Sequence, residues 1–336
     1  MQTLDEKTFL ASRRELLLSY AIYVESKDSQ DECFDMVEAG LQQPAEVLQN
    51  IPPENFMTAT RQRAWEGIDQ LTLAYSAGHT TADLRALYPT ILEYWEEFAR
   101  YDTAFDLQAS AAERGFPHFA LPDVAYEQVN RMICLGILLG WGNLLPRLAP
   151  VIDFNNHEKD GLVERLLAFS IDGRDTDWPE CTRHLPYFKT LKIFAAEEKD
   201  RPALMQDYLE EWYYASRREP YYDSHERDTS FLGYWSWEAA AITCLLDIDD
   251  SSYRDATFYP ADLTAFFRQA RVDYEPDGGG PVPANELRAK AGDPCPKAGT
   301  WESLDIPPRA MSYEREQPML DLESGYGLTV WRYLEN

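Results

Sequence analysis

The sequence predicts an all-α protein, an antiparallel helical bundle or hairpin array with a small β appendage at its C-terminus. Three observations carry this. Apolar residues recur at steps of three and four through most of residues 1–270, and no strand alternation persists there. The Gly/Pro stretch Tyr274-Glu-Pro-Asp-Gly-Gly-Gly-Pro-Val-Pro then interrupts the pattern. Beyond it, Gly325-Tyr-Gly-Leu-Thr-Val-Trp-Arg-Tyr-Leu is rich in strand formers.

In chain order, Thr3-Leu4-Asp5-Glu6 reads as a capping box, in which Thr3 caps and Glu6 reaches back. Leu10, Arg14, Leu17, Ala21 and Val24 follow it at helical spacing. Ile51-Pro52-Pro53 breaks the chain, and a long helix runs from Glu54 to Ala77, closed by Gly78. Thr80 or Thr81 caps the next, with Leu84, Leu87, Ile91, Tyr94, Trp95 and Phe98 on one face. After the loop Gly115-Phe-Pro-His118, helices are expected near 124–141, 161–169, 186–198, 202–217, 234–246 and 261–271. In the helix from Pro202, Met205, Leu209 and Trp212 form the buried stripe, and Gln206, Asp207, Glu210 and Glu211 the wet face. We expect an N-terminal helical domain over 1–115, a second helical domain over 116–275, a linker over 276–291 and a β-rich module over 292–336.

Composition narrows the function. Hydrophobic residues make up 45% of the 336 positions and aromatics 13%, which is globular and not disordered. Asp and Glu number 58 against 31 Lys and Arg, a formal net charge of −27. Such a chain is repelled by nucleic acid and by anionic membranes, and it suits a basic partner. The five cysteines are widely spaced without a C-x-x-C pair, so neither a disulfide framework nor a zinc site is expected. Met1-Gln-Thr-Leu-Asp-Glu-Lys has no secretory pattern, and the most apolar run, Met132 to Trp141, is too short to span a bilayer. The expected location is cytoplasmic.

Catalytic signatures are mostly missing. Gly278 to Gly280 is not followed by Lys-Ser/Thr, there is no G-x-S-x-G elbow, and His225-Glu226 lacks the second histidine of a helical zinc site. Asp247-Ile-Asp-Asp-Ser-Ser begins like a calcium loop, but Ser252 replaces the turn glycine and Phe258 the bidentate glutamate. Glu197-Glu-Lys199 has the E-x-K form of a nuclease half-site, with Pro122-Asp123 as the other half, but in helical context. His79, His118, His157 and His184 are scattered. No cofactor or metal is expected, and the chain reads as a binding protein, not an enzyme. Glu238, inside Gly233-Tyr-Trp-Ser-Trp-Glu-Ala-Ala-Ala, defines the alternative. A carboxylate among aromatics can serve as the general acid of a helical, α/α-toroid-like glycosidase. Its simpler reading is a buried glutamate bonded to a Tyr, Trp or Arg of a neighbouring helix.

One segment resembles a known family. It comprises Glu219-Pro-Tyr-Tyr-Asp-Ser-His, Phe231-Leu-Gly-Tyr-Trp-Ser-Trp-Glu-Ala-Ala-Ala, Leu246-Asp-Ile-Asp-Asp-Ser-Ser-Tyr-Arg-Asp and Phe258-Tyr-Pro-Ala-Asp-Leu. With its spacing it is similar to the C-terminal domain of the PoNi immunity proteins, which neutralise PoNe-type nuclease toxins of the PD-(D/E)xK class, often delivered by type VI secretion. Cys295-Pro-Lys-Ala-Gly-Thr-Trp301 and Gly327-Leu-Thr-Val-Trp331 resemble a small module at the end of other polymorphic-toxin immunity proteins. The resemblance implies a non-catalytic, all-helical inhibitor of a cognate nuclease toxin with a basic cleft. It carries over no contact residues, and the oligomeric state, monomer or homodimer, stays open. From the residues themselves, the acidic and aromatic stretches are the expected partner-binding surface: Trp212, Tyr221, Tyr222, Asp223, Glu226 and Asp228, with Asp247, Asp249 and Asp250.

Overall fold

The computed structural model describes residues 1–108, 115–227, 231–272, 288–303, 309–322 and 329–334. The chain divides into two compact units, Met1–Glu275 and Pro276–Asn336. Among the described residues the first contains twelve α-helices. They are α1 (Glu6–Ser12), α2 (Tyr20–Leu41), α3 (Ala45–Leu48), α4 (Pro53–Ala77), α5 (Thr81–Gln108), α6 (Ala125–Leu138), α7 (Leu145–Asp153), α8 (Gly161–Leu167), α9 (Thr190–Ala195), α10 (Arg201–Ala215), α11 (Trp237–Leu245) and α12 (Ala261–Val272).

The N-terminus differs from the sequence expectation. Asp5, not Thr3, caps α1, accepting from the Thr8 amide at 3.0 Å and from its hydroxyl at 2.7 Å. Nor does one helix continue through Leu10, Arg14 and Leu17, because α1 ends at Ser12. The amides of Arg14 and Glu15 instead reach the Ser76 carbonyl at 2.8 and 3.2 Å, and Leu10 and Leu17 are exposed. Contacts with α4 override the local periodicity there.

α2, α4 and α5 form successive antiparallel pairs. The Trp95 indole donates to the Ala64 carbonyl, Gly67 faces Ile91, and Phe56 stacks on Tyr101, so α4 positions rise as α5 positions fall. Arg63 meets Glu38 and Gln70 meets Asp31 in the same sense across α2 and α4. Gly78 closes α4 at φ 97° with its amide on the Tyr75 carbonyl. A Cβ there would stand 2.2 Å from the Ser12 carbonyl oxygen. Gly78→Ala should therefore destabilise the unit by about 2 kcal/mol, combining left-handed strain and backbone collision, as read by urea unfolding.

α6 lies at the centre. All but one of its residues are buried, and it packs against α4, α7, α8, α11 and α12. One apolar cluster runs from Phe9 to Leu263, so helices on both sides of the expected boundary near 115 share a core. Arg14 on Asp262, and the Tyr234 amide on Glu15, tie the chain's start to its later helices.

Among the described residues, strands appear only in the second unit, as a four-stranded antiparallel sheet of order β1-β4-β2-β3. The strands are β1 (Arg288–Lys290), β2 (Gly299–Ser303), β3 (Ala310–Tyr313) and β4 (Val330–Tyr333). Trp301 and Trp331, both fully buried, anchor its small core with Cys295, Tyr313 and Met319. Their indole N–H groups donate to the carbonyls of Lys297 and Leu320. The expected linker lies outside the described residues except for its last positions, which begin the sheet. No helix among the described residues is long and apolar enough to cross a membrane.

Candidate functional site

The burial of α6 creates a chemical problem. Its sequence places Glu127, Gln128, Asn130 and Arg131 in the middle of the helical unit, where polar groups need partners. They face a cavity of about 390 Å³ together with Asp69 and Thr72 of α4, Trp212 of α10, and Trp237 and Glu238 of α11. Tyr187, Tyr221 and Trp235 supply further aromatic walls.

Glu238 is 1% exposed and heavily engaged. Its Oε1 accepts from the Tyr208 hydroxyl at 2.6 Å, the Trp212 indole at 2.7 Å and the Ser236 hydroxyl at 2.7 Å. Asn130 donates to Oε2 at 3.2 Å. This is a buried carboxylate bonded across helix interfaces to a Tyr and a Trp. Burial and the nearby Glu238 carboxylate push the Tyr208 phenol well up, which keeps it a donor.

Arg131 sits beside this anchor. Its guanidinium pairs with Asp69 at 2.6 Å, reaches Glu127 at 3.6 Å and donates to the Thr72 hydroxyl at 3.1 Å. Burial alone would depress its pKa, but Asp69 and Glu127 more than offset that. The Glu127 carboxyl is pushed up to about 7, chiefly by burial and against the pull of Arg131. Gln128 is 8% exposed, and its Oε1 has no hydrogen-bond partner among the described residues. No motif in the sequence links another carboxylate to Glu238, whereas the fold brings Glu127 and Asp69 to the same cavity. The available signal was four polar residues within the most apolar helix.

The expected partner-binding residues divide by burial. Trp212 is 2% exposed and its indole N–H is committed to Glu238. Tyr221 lies half-buried, stacked on Trp212, with its hydroxyl on Ser216. Tyr222 packs on Tyr213, whose hydroxyl donates to Asp223 at 2.6 Å. Asp223 has a left-handed backbone, and Glu226 is exposed. Asp228 lies outside the described residues. In the second stretch, Asp247 is exposed at φ 51° just past α11, and exposed Asp249 accepts from the Ser251 amide. Asp250 is 1% exposed. Arg254 at 2.5 Å and Arg268 at 2.8 Å neutralise it. Burial would raise its pKa, but the two guanidiniums hold it below the usual carboxylate range. Asp250 is thus turned inward, while its neighbour faces solvent.

The remaining motifs acquire ordinary roles. Glu197 and Lys199 pair with one another on the surface. His79 bonds the Tyr23 hydroxyl, and His118 bonds Asp102 while stacking on Phe154. No group of His, Cys, Asp and Glu side chains suited to a metal occurs among the described residues. All five cysteines are free thiols.

Comparison with known proteins adds two findings. The solved structure titled "The Crystal Structure of Protein PA2201 from Pseudomonas aeruginosa" is similar at a TM-score of 0.62 and 19% identity, covering 80% of this chain and 99% of that one. That likeness shows the fold alone. No curated protein matches the chain. Residues 158–263, spanning α8 to the start of α12, match the family described as PoNe immunity proteins (PoNi), C-terminal. Over these residues the chain is similar to the C-terminal domain of the PoNi-type immunity proteins.

Proposed function

We propose that this protein neutralises a cognate nuclease toxin by tight, non-covalent association, and that it works as an inhibitor and not as an enzyme. The match at residues 158–263 carries the reading. The net charge of −27 supports it, because a nuclease must present a basic cleft to hold phosphates. Exposed Glu226, Asp247 and Asp249, with half-buried Tyr222 and Asp223, are the contact residues of this reading. Trp212 and Asp250 brace them from within. Toxin delivery by type VI secretion and capture in the producer's cytoplasm belong to the same reading. Neutralisation requires that almost no free toxin persists, so a Kd of ~1 nM or tighter is expected, about −12 kcal/mol.

The test is co-expression with the nuclease encoded in the neighbouring reading frame. Growth should be rescued, the two chains should co-purify, and purified complex should leave DNA intact. Continued toxicity without a complex would overturn the proposal. Turnover of a glycan by the purified chain, abolished in Glu238→Gln, would instead establish the glycosidase reading.

A further inference from the structure

The central cavity has hydrogen-bonding capacity left over, and that capacity is largely of one kind. The nearest donors, from Tyr208, Trp212, Ser236 and Asn130, are already spent on Glu238. The Trp235 indole is spent on Ser76. What still faces the cavity is mostly acceptors, although Arg227, which donates to the Pro220 and Tyr222 carbonyls, also lines it and the Arg131 Nε has no hydrogen-bond partner among the described residues. Gln128 Oε1 is without a partner among the described residues. The Glu127 carboxylate is one-fifth exposed and no closer than 3.6 Å to the Arg131 Nε. Among the described residues Glu238 Oε2 holds only Asn130, at 3.2 Å. Asp69 already occupies the Arg131 guanidinium at 2.6 Å.

A complementary ligand is rich in donors, poor in acceptors and cationic, which leaves ammonium and guanidinium groups. The walls choose between them. Trp237, Tyr187 and Tyr221 place aromatic rings in its wall. The planar, weakly hydrated guanidinium stacks on such rings and forks to a carboxylate, while an ammonium keeps its water. The volume of about 390 Å³ admits the group with its alkyl stem. A cation there would also offset the burial that pushes the Glu127 carboxyl up to about 7.

We propose that this cavity is a receptor for a guanidinium group and, resting on the toxin-binding reading above, that the toxin supplies it as an arginine side chain. The purified full chain is titrated with N-acetyl-arginine amide, following tryptophan fluorescence and heat. Saturable binding is expected at a Kd of ~1 mM, and the neutral isostere N-acetyl-citrulline amide should bind at least about tenfold more weakly. Glu127→Gln and Gln128→Met should each weaken the arginine amide by about tenfold, whereas Glu197→Gln, on the surface outside the cavity, should not. No response, equal binding of the citrulline amide, or a response to neutral sugars instead would overturn the proposal. If a variant fails to fold, the citrulline comparison on the wild-type chain decides.

A second arm uses the toxin. Glu127→Gln should speed its dissociation by about tenfold if an arginine of the toxin fills the cavity. Unchanged dissociation, with the amide lost, assigns the cavity to a free guanidino compound and overturns the toxin source. A toxin that does not bind the wild-type chain refutes the immunity reading, and the guanidinium assignment then stands or falls on the small molecules.

Discussion

Glu238→Ala should destabilise the helical unit by about 3–5 kcal/mol and lower its melting temperature by roughly 10 °C. The substitution strands four buried donors at once, on Tyr208, Trp212, Ser236 and Asn130. Each of the four residues is at most 4% exposed. An unmet buried donor costs about 1–3 kcal/mol, and water entering from the cavity returns part of that. Glu238→Gln keeps the volume and one acceptor oxygen, so its loss should be about half as large. Calorimetry of both variants is the check. A Glu238→Ala protein that melts with the wild type would mean that the network is dispensable and that the carboxylate is not an anchor.

Toxin capture should be governed by salt on the association side. Complementary charge raises association rates by about tenfold to a thousandfold at low ionic strength, and the gain fades as the Debye length contracts to about 10 Å at 0.1 M. Dissociation should change far less, since it reflects desolvated contacts. The structure dictates which charges can be removed cleanly. Asp247 and Asp223 have left-handed backbones that asparagine tolerates, so Asp247→Asn with Asp249→Asn, and Asp223→Asn with Glu226→Gln, are suitable pairs. Asp250 is excluded because its loss would leave Arg254 and Arg268 without their shared partner. The pair facing the toxin should slow association severalfold, and the other pair should not. Stopped-flow mixing across a salt series decides, and an association rate that stays flat from low to high salt would reduce the acidic surface to a solubilising role.

Much of the helical architecture was legible because amphipathic spacing is a local property. The stripe from Leu84 to Phe98 predicts α5 and its buried face, and Thr80 caps it as expected, accepting from the Asp83 amide. Gly78 ends α4, and Met205, Leu209 and Trp212 line the inner face of α10. Two of the failures have equally local causes. Asp5 competes with Thr3 as a cap and wins through Thr8. α7 is not among the expected helices; it holds two prolines, Pro146 in its first turn, where proline is tolerated, and Pro150 within its length.

The sequence alone determined the helical class, the acidic charge, the β character of the tail and the need of Glu238 for partners. Tertiary structure alone decided what shares a cavity. Asp69, Glu127 and Glu238 come from three helices and meet only because α6 is buried between α4 and α11. It also decided that Asp250 turns inward onto two arginines while adjacent Asp249 stays in solvent. Side-chain periodicity is written in spacings of three and four residues, whereas burial and charge pairing depend on contacts between segments far apart in the chain, which no local pattern encodes.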